Sequence, residues 1–243
     1  MTQDFIIKNN LTEDEKAQVT RILDHDASEP LVGLIENVRR GLPDTKITLQ
    51  PNFEYMFSAA MHIKYIIDCV EVLTRNKEIY VDHEINLSWL ARHLNTLSHN
   101  KLQTDIDKNS EEFLAKSELV YPVLFTLFKN SLIRGNAKKV VLSSELSGFP
   151  EQALYVPENA SRYRKYLAMH LTDDGKGFPE GFDFLKALTT CIPERTRGFG
   201  LYFTGLIGKV LAAPIHIVSE PENCRVSLYH PVYESEIGGD QND

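Results

Sequence analysis

A carboxylate followed by two glycines is the residue pattern in this chain that is best suited to hold a ligand. Asp173-Asp174-Gly175-Lys176-Gly177 directly follows an apolar stretch at residues 166–171. A carboxylate at the end of a strand accepts a hydrogen bond from a ligand amino group, and glycines two residues apart let that ligand approach the backbone closely. Because turns are also rich in Asp and Gly, the motif by itself favours a plain turn.

A second group of residues lies just before a predicted helix at 201–211. Arg195 and Arg197 precede Gly198 and Gly200. Free backbone N–H groups at a helix N-terminus, the helix dipole and nearby guanidinium groups all favour phosphate oxygens. The alternative is a glycine-rich loop that binds nothing.

A third candidate is Asn130, an amide within a strongly apolar segment at 120–134 that has the composition of a buried helix. Its carbonyl oxygen is a suitable ligand for a hard cation such as Mg²⁺. Taken alone, the pattern favours the other reading, a core amide whose hydrogen bonds are satisfied within the protein.

Composition narrows the class of protein. The 243 residues suffice for one large domain or two modest ones, and a net charge of −8 argues against a nucleic-acid-binding surface as the main function. The three cysteines lack metal-ligand spacing, which favours reduced thiols. Without a secretory leader pattern or an apolar run of 18 residues, we expect a cytoplasmic protein that does not associate with membranes.

Two long helices are predicted at the N-terminal end. Thr12 and Glu15 match a capping box, and apolar residues continue at helical spacing to residue 42, where Gly41 and Pro43 end the helix. A second helix is predicted at 52–74. The two would form an antiparallel hairpin with a wide apolar face, and pairing with a second copy into a four-helix bundle would bury that face. We therefore expect a homodimer; the alternative is that the hairpin packs on the rest of its own chain.

The chain beyond residue 76 mixes helices and strands. Helices are predicted at 87–98, 120–134 and 201–211, and strands at 78–87, 101–107, 138–146, 163–171, 214–219 and 224–230. The predicted class is α+β, with a helical hairpin domain at 1–76 followed at 77–243 by an α/β sandwich whose sheet is covered on one face by helices.

In this order and spacing, the three motifs resemble the ATP-binding domain of the GHKL superfamily, which includes sensor histidine kinases, DNA gyrase, Hsp90 chaperones and MutL. The resemblance implies that Asn130 holds Mg²⁺ against the phosphates and that Asp173 receives the adenine amino group. It also implies a set of further residues around the nucleotide: Gly175 and Gly177 at the adenine, and Arg134, Gly198 and Gly200 at the phosphates.

The histidine kinase branch is the one that the chain resembles. Hydrolysing members carry a glutamate base one helical turn before the metal-binding Asn, whereas Thr126 here cannot act as that base. Kinases require a phosphoacceptor histidine upstream. His25 is followed by an acid, Asp26, and by Pro30 and Leu31 at the family positions, about 105 residues before Asn130.

The resemblance implies an ATP-dependent histidine kinase. His25 would take the γ-phosphoryl group of ATP–Mg²⁺, with Asp26 orienting the ring, and would pass it to an aspartate on the receiver domain of a response regulator. The input would come from a partner such as an upstream sensor protein. Two rivals are a histidine phosphotransferase that has lost ATP binding and a regulator that binds ATP without transferring phosphate.

Several positions depart from the kinase pattern. Glu29 occupies a position used for dephosphorylating the partner, Ile133 replaces a frequent basic residue, and Thr196 replaces a glycine. The segment that matches the ATP lid lacks a clear phenylalanine box, for which Phe182 and Phe184 are the nearest candidates.

Overall fold

The computed structural model describes residues 5–22, 49–75, 78–81, 84–97, 101–160, 163–191 and 199–233. Within these ranges the helices are α1 (13–22), α2 (Leu49–Arg75), α3 (Leu87–Leu97), α4 (Ser117–Ile133), α5 (Phe184–Thr189) and α6 (Phe199–Leu211). The strands are β1 (Phe5–Lys8), β2 (Glu78–Val81), β3 (Glu84–Asn86), β4 (Leu102–Ile106), β5 (Glu112–Leu114), β6 (Val140–Ser147), β7 (Tyr166–Asp173), β8 (Ile215–Glu220) and β9 (Asn223–Pro231).

Five strands form the main sheet, in the order β4-β6-β7-β9-β8. The β4–β6 pair is parallel and the other pairs are antiparallel. Two further pairs, β1 with β2 and β3 with β5, form small antiparallel sheets. The α+β class predicted from the sequence is confirmed.

The helices pack on one face of the main sheet because its strands alternate. In β7, Leu167, Met169 and Leu171 are buried in the same core as the apolar residues of α4 and α6. Tyr166 and Ala168, which alternate with them, belong to a separate small cluster on the opposite face with Tyr229. Asp173 follows Leu171 by two residues, so the alternation puts its side chain on the face of the sheet that meets α4.

Helix α2 packs on its own chain. It contacts α4 and α3, and the ring of Tyr65 stacks on that of Tyr121 with centroids 4.6 Å apart. This arrangement agrees, for α2, with the alternative in which the hairpin packs within one chain. Another face of α2 remains exposed and includes Phe57 and Ile67, so a homodimer stays a prediction.

The capping box predicted at the start of α1 is present. The Thr12 backbone N–H donates to Glu15 Oε2 at 2.7 Å, and the Glu15 N–H donates to Thr12 Oγ1 at 3.2 Å. Glu15 also accepts hydrogen bonds from Lys209 Nζ on α6, at 2.9 and 3.0 Å. Helix α1 is therefore attached to α6, whose first turn contains Gly200, one of the predicted phosphate-binding glycines.

The N-terminal residues and the later part of the chain share secondary structure. Strand β1 pairs along its whole length with β2, from Phe5 opposite Val81 to Lys8 opposite Glu78. The predicted division into domains at 1–76 and 77–243 remains a prediction, and most of the predicted hairpin loop lies outside the described residues. No helix among the described residues is long and apolar enough to cross a membrane.

Candidate functional site

A cavity of about 740 Å³ lies between α4, the turn after β7 and the start of α6. The predicted site residues that line it are Asn130, Arg134, Asp173, Gly177 and Gly200. Three separate sequence motifs therefore meet at one place in the fold. The size of the cavity lies within the range usual for small-molecule and cofactor sites.

Asp173 is the last residue of β7 and is only 8% exposed. Its Oδ2 accepts a hydrogen bond of 2.6 Å from the Ser131 hydroxyl on α4, and its Oδ1 accepts one of 2.9 Å from the Gly175 N–H. Each carboxylate oxygen has a further lone pair. The side chain is thus held at two points while it can still accept a hydrogen bond from a molecule in the cavity.

The turn after Asp173 requires its glycines for different reasons. A Cβ atom at Gly175 would lie 2.7 Å from both Asp173 Oδ1 and the Gly135 carbonyl oxygen, so a side chain there would displace the carboxylate. Gly177 has a φ of +70°, which strains any other residue. Both glycines are therefore needed for the shape of the turn itself.

Asp174 fixes the turn from the solvent side. Its Oδ1 accepts hydrogen bonds from the backbone N–H groups of Lys138 (2.7 Å) and Lys139 (2.9 Å). Both bonds lower the pKa of the Asp174 carboxyl, and the bond from Lys139 has the larger effect. The two carboxylates therefore have different roles. Asp173 faces the cavity, whereas Asp174 attaches the turn to the residues just before β6.

Asn130 lies beside the first turn of α6. A Cβ atom at Gly200 would come within 2.2 Å of Asn130 Nδ2 and within 3.0 Å of Thr126 Cγ2. The sequence pattern predicted that Gly200 lies just before the helix. In the structure α6 begins at Phe199, so Gly200 lies within its first turn. Its missing side chain lets α6 approach Asn130 closely.

Apolar and weakly polar side chains complete the walls. Cys224 is paired with Asp173 across the β7–β9 register, and burial, followed by the charge of Asp173, raises the pKa of its thiol to about 11. Phe178 and Phe182 also line the cavity, and together with Phe184 they form an aromatic cluster with ring centroids 5.0–5.1 Å apart. A flat, partly apolar group with one hydrogen-bond donor fits such walls.

Basic residues lie at the cavity mouth. Arg134 and Lys176 are exposed and line the cavity. Ile133, which the resemblance expects to be basic, is 66% exposed there. Two cations in a cavity that the first turn of α6 also lines suit a negatively charged group.

A protein-only metal centre is not found in the described ranges, where no three His, Cys, Asp or Glu side chains are arranged to bind an ion. Mg²⁺ seldom needs such a set, because one or two protein oxygens plus substrate phosphates satisfy it. The Asn130 amide at the cavity is the residue whose chemistry fits that role.

Some predicted residues fall outside the described part of the chain. They are His25, Asp26, Glu29, Arg195, Thr196, Arg197 and Gly198. Conversely, Ser131 and Cys224 line the cavity although the sequence did not single them out for the site. Ser131 follows Asn130 directly, and its proximity in sequence to a candidate ligand was the available clue.

No protein-family model and no curated protein matches this chain. Among solved structures, it is similar to the histidine kinase AdeS of Acinetobacter baumannii, at 15% identity over 86% of this chain and 98% of that one, with a TM-score of 0.47. It is also similar to the ATP-binding domain of PrrB from Mycobacterium tuberculosis, at 15% identity over 63% of this chain and 98% of that one, with a TM-score of 0.44.

A third similar structure is the histidine kinase ThkA in complex with the response regulator protein TrrA. The identity is 15%, over 89% of this chain and 61% of that one, and the TM-score is 0.47. Sequence identities and TM-scores this low carry no residue roles from those structures to the present chain.

Proposed function

We propose that this chain is an ATP-dependent histidine kinase that phosphorylates its own His25 and passes the phosphoryl group to the receiver domain of a response regulator. The observation that carries the proposal is the placement of Asp173. It is held by Ser131 and Gly175 in the wall of a cavity that is also lined by Asn130 and the first turn of α6.

The residues that line the cavity suit the two parts of ATP. Asp173 accepts a hydrogen bond from the adenine amino group, and the apolar walls near Phe178 and Cys224 contact the ring. Arg134 and the first turn of α6 stabilise the phosphates. A molecule with an amino-bearing ring and a polyanionic tail therefore matches this lining.

Asn130 would hold Mg²⁺ beside the phosphates. The ion, when bound, offsets negative charge on the transferring group. Gly200 supports this role because its lack of a side chain leaves the Asn130 amide in place against α6. What the protein supplies is the position of that amide.

His25 is the proposed acceptor, with Asp26 beside it. A neutral imidazole nitrogen attacks the γ-phosphorus, the bond to the ADP oxygen breaks, and Asp26 orients the ring and takes its other proton. The phosphoryl group then moves to an aspartate of the response regulator. Input from an upstream sensor protein belongs to the same proposal.

Incubation of the full chain with γ-labelled ATP and Mg²⁺ tests the proposal. We expect label on the wild type and none on His25→Gln. Asp173→Asn should also lose label, because an amide presents donors where the adenine amino group needs an acceptor. Label that persists in His25→Gln would exclude His25 as the acceptor.

One observation favours a second candidate, a histidine phosphotransferase that does not use ATP. Ile133 lies exposed at the cavity mouth, where a basic residue would assist phosphate binding. Titration calorimetry separates the two. The kinase binds Mg²⁺–ATP, whereas the phosphotransferase binds none at millimolar concentration and takes label from a phosphorylated partner instead.

A further inference from the structure

The Ser131 hydroxyl forms a buried hydrogen bond with the residue that faces the cavity. Its Oγ donates to Asp173 Oδ2 at 2.6 Å, and the side chains come from α4 and β7, 42 positions apart in the chain. Ser131 is 8% exposed and follows Asn130 directly. One short piece of α4 therefore positions both candidate nucleotide contacts.

The second contact of Asp173 restrains the carboxylate only weakly without Ser131. The Gly175 N–H makes a single hydrogen bond to Oδ1, and the torsion about the bond to the carboxylate group has a broad energy profile. The cross-strand partner of Asp173 is Cys224, whose neutral thiol is only a weak donor; burial and the charge of Asp173 raise its pKa to about 11. The Ser131 hydroxyl is thus the side-chain donor that completes the orientation.

We propose that Ser131 is a positioning residue that sets the nucleobase specificity of the cavity. By holding Oδ2, it directs the remaining lone pairs of Asp173 toward the ligand. Adenine presents an amino group, which donates, whereas guanine presents a carbonyl oxygen at the same ring position and is repelled by a fixed acceptor. The inference rests on the proposed function and adds to it the residue that separates ATP from GTP.

Loss of the hydroxyl has a result that general destabilisation does not produce. In Ser131→Ala the carboxylate keeps only the Gly175 hydrogen bond and is less well oriented, so affinity for Mg²⁺–ATP falls about tenfold, as expected for a hydrogen bond to a charged group. The preference for ATP over GTP falls by about the same factor. A merely weakened fold would lower both affinities together and leave their ratio unchanged.

Calorimetric titration of the full chain with Mg²⁺–ATP and with Mg²⁺–GTP tests the inference. Ser131→Thr keeps the hydroxyl and should retain the preference of the wild type. Ser110→Ala is the matched control, since it removes another buried hydroxyl bond, to Ser144 at 2.6 Å, away from the cavity. If Ser131→Ala does not fold, Ser131→Cys, a weak donor, is measured in its place.

A reduced ATP-to-GTP ratio in Ser131→Ala, with a normal ratio in Ser131→Thr and Ser110→Ala, supports the inference. An unchanged ratio in Ser131→Ala and Ser131→Cys overturns the inference and leaves the proposed function intact. A wild-type chain that binds neither nucleotide overturns both, so the two failures are distinct.

Discussion

At the scale of single residues, the close approach of Gly200 to Asn130 gives a direct test of the site. A methyl group at position 200 would lie 2.2 Å from Asn130 Nδ2, so in Gly200→Ala the amide has to move. If Asn130 holds Mg²⁺ as proposed, a displacement of its amide by about 1 Å lowers the phosphoryl-transfer rate on the order of 100-fold. We expect that loss in autophosphorylation, measured with labelled ATP.

The control for this substitution is Gly148→Ala. A Cβ atom at Gly148 meets nothing within 4 Å, so the same chemical change carries no steric conflict there. Equal autophosphorylation by Gly200→Ala and Gly148→Ala would show that Asn130 is not needed in its present position.

The site residues that could be predicted from the sequence are those that belong to a motif of a few consecutive residues. Asp173 and Gly177 sit in a short motif in which the backbone of the turn requires a glycine, and such a requirement is visible along the chain. Gly200 was predicted from its place at the start of a helix, whereas its contact with Asn130 joins two helices and has no local pattern. The bond between Ser131 and Asp173 joins two elements, and no local pattern reports which serine meets which carboxylate. The contribution of Cys224 likewise depends on the pairing of β7 with β9.

At the scale of elements, the ion pair between α1 and α6 should contribute a pH-dependent part of the stability. Burial raises the pKa of Glu15, but the Thr12 N–H and Lys209 outweigh it and leave that pKa lowered. A carboxylate with a lowered pKa stabilises the fold above its unfolded pKa, and this contribution disappears as the pH falls through the folded pKa.

Glu15→Gln removes the charge but keeps a side chain that a capping box accepts. We expect it to cost about 1 kcal/mol at pH 7, as a partly exposed ion pair does, and almost nothing at pH values well below the ordinary pKa of Glu. Urea unfolding at several pH values measures this. Glu13→Gln is the control, since Glu13 pairs with Lys16 on the exposed side of α1; an equal effect of both variants would contradict a specific role for the contact with Lys209.

Elements with strong periodicity were predicted, and short ones were not. The strands β6, β7, β8 and β9 alternate or are apolar enough to be recognised. Helices α4 and α6 begin three and two residues before their predicted starts, and each ends within one residue of its predicted end. The sequence did not indicate β1, β5 or α5, which have four, three and six residues. Elements this short form because a partner strand or helix lies next to them, which is information that their own residues lack.

At the scale of the whole molecule, helix α2 has two faces with different roles. One face packs against α4 and α3, while an exposed stripe contains Phe57 and Ile67, which are 47% and 57% exposed. Positions 57, 60, 64 and 67 fall on one side of a helix. This stripe is where we expect the homodimer to form, because it is the remaining apolar surface of the predicted hairpin among the described residues of α2.

Ile67→Glu tests that expectation. Burying an isoleucine contributes about 1.5–3 kcal/mol, and in a symmetric dimer the change enters twice, so the dimer should dissociate at concentrations at least about 100-fold higher than for the wild type. Light scattering across a concentration series measures it. Leu146→Glu, at a similarly exposed apolar position on β6, should leave the mass unchanged. A wild type that is monomeric throughout the series would contradict the homodimer, whereas an unchanged dimer in Ile67→Glu would place the contact on another surface.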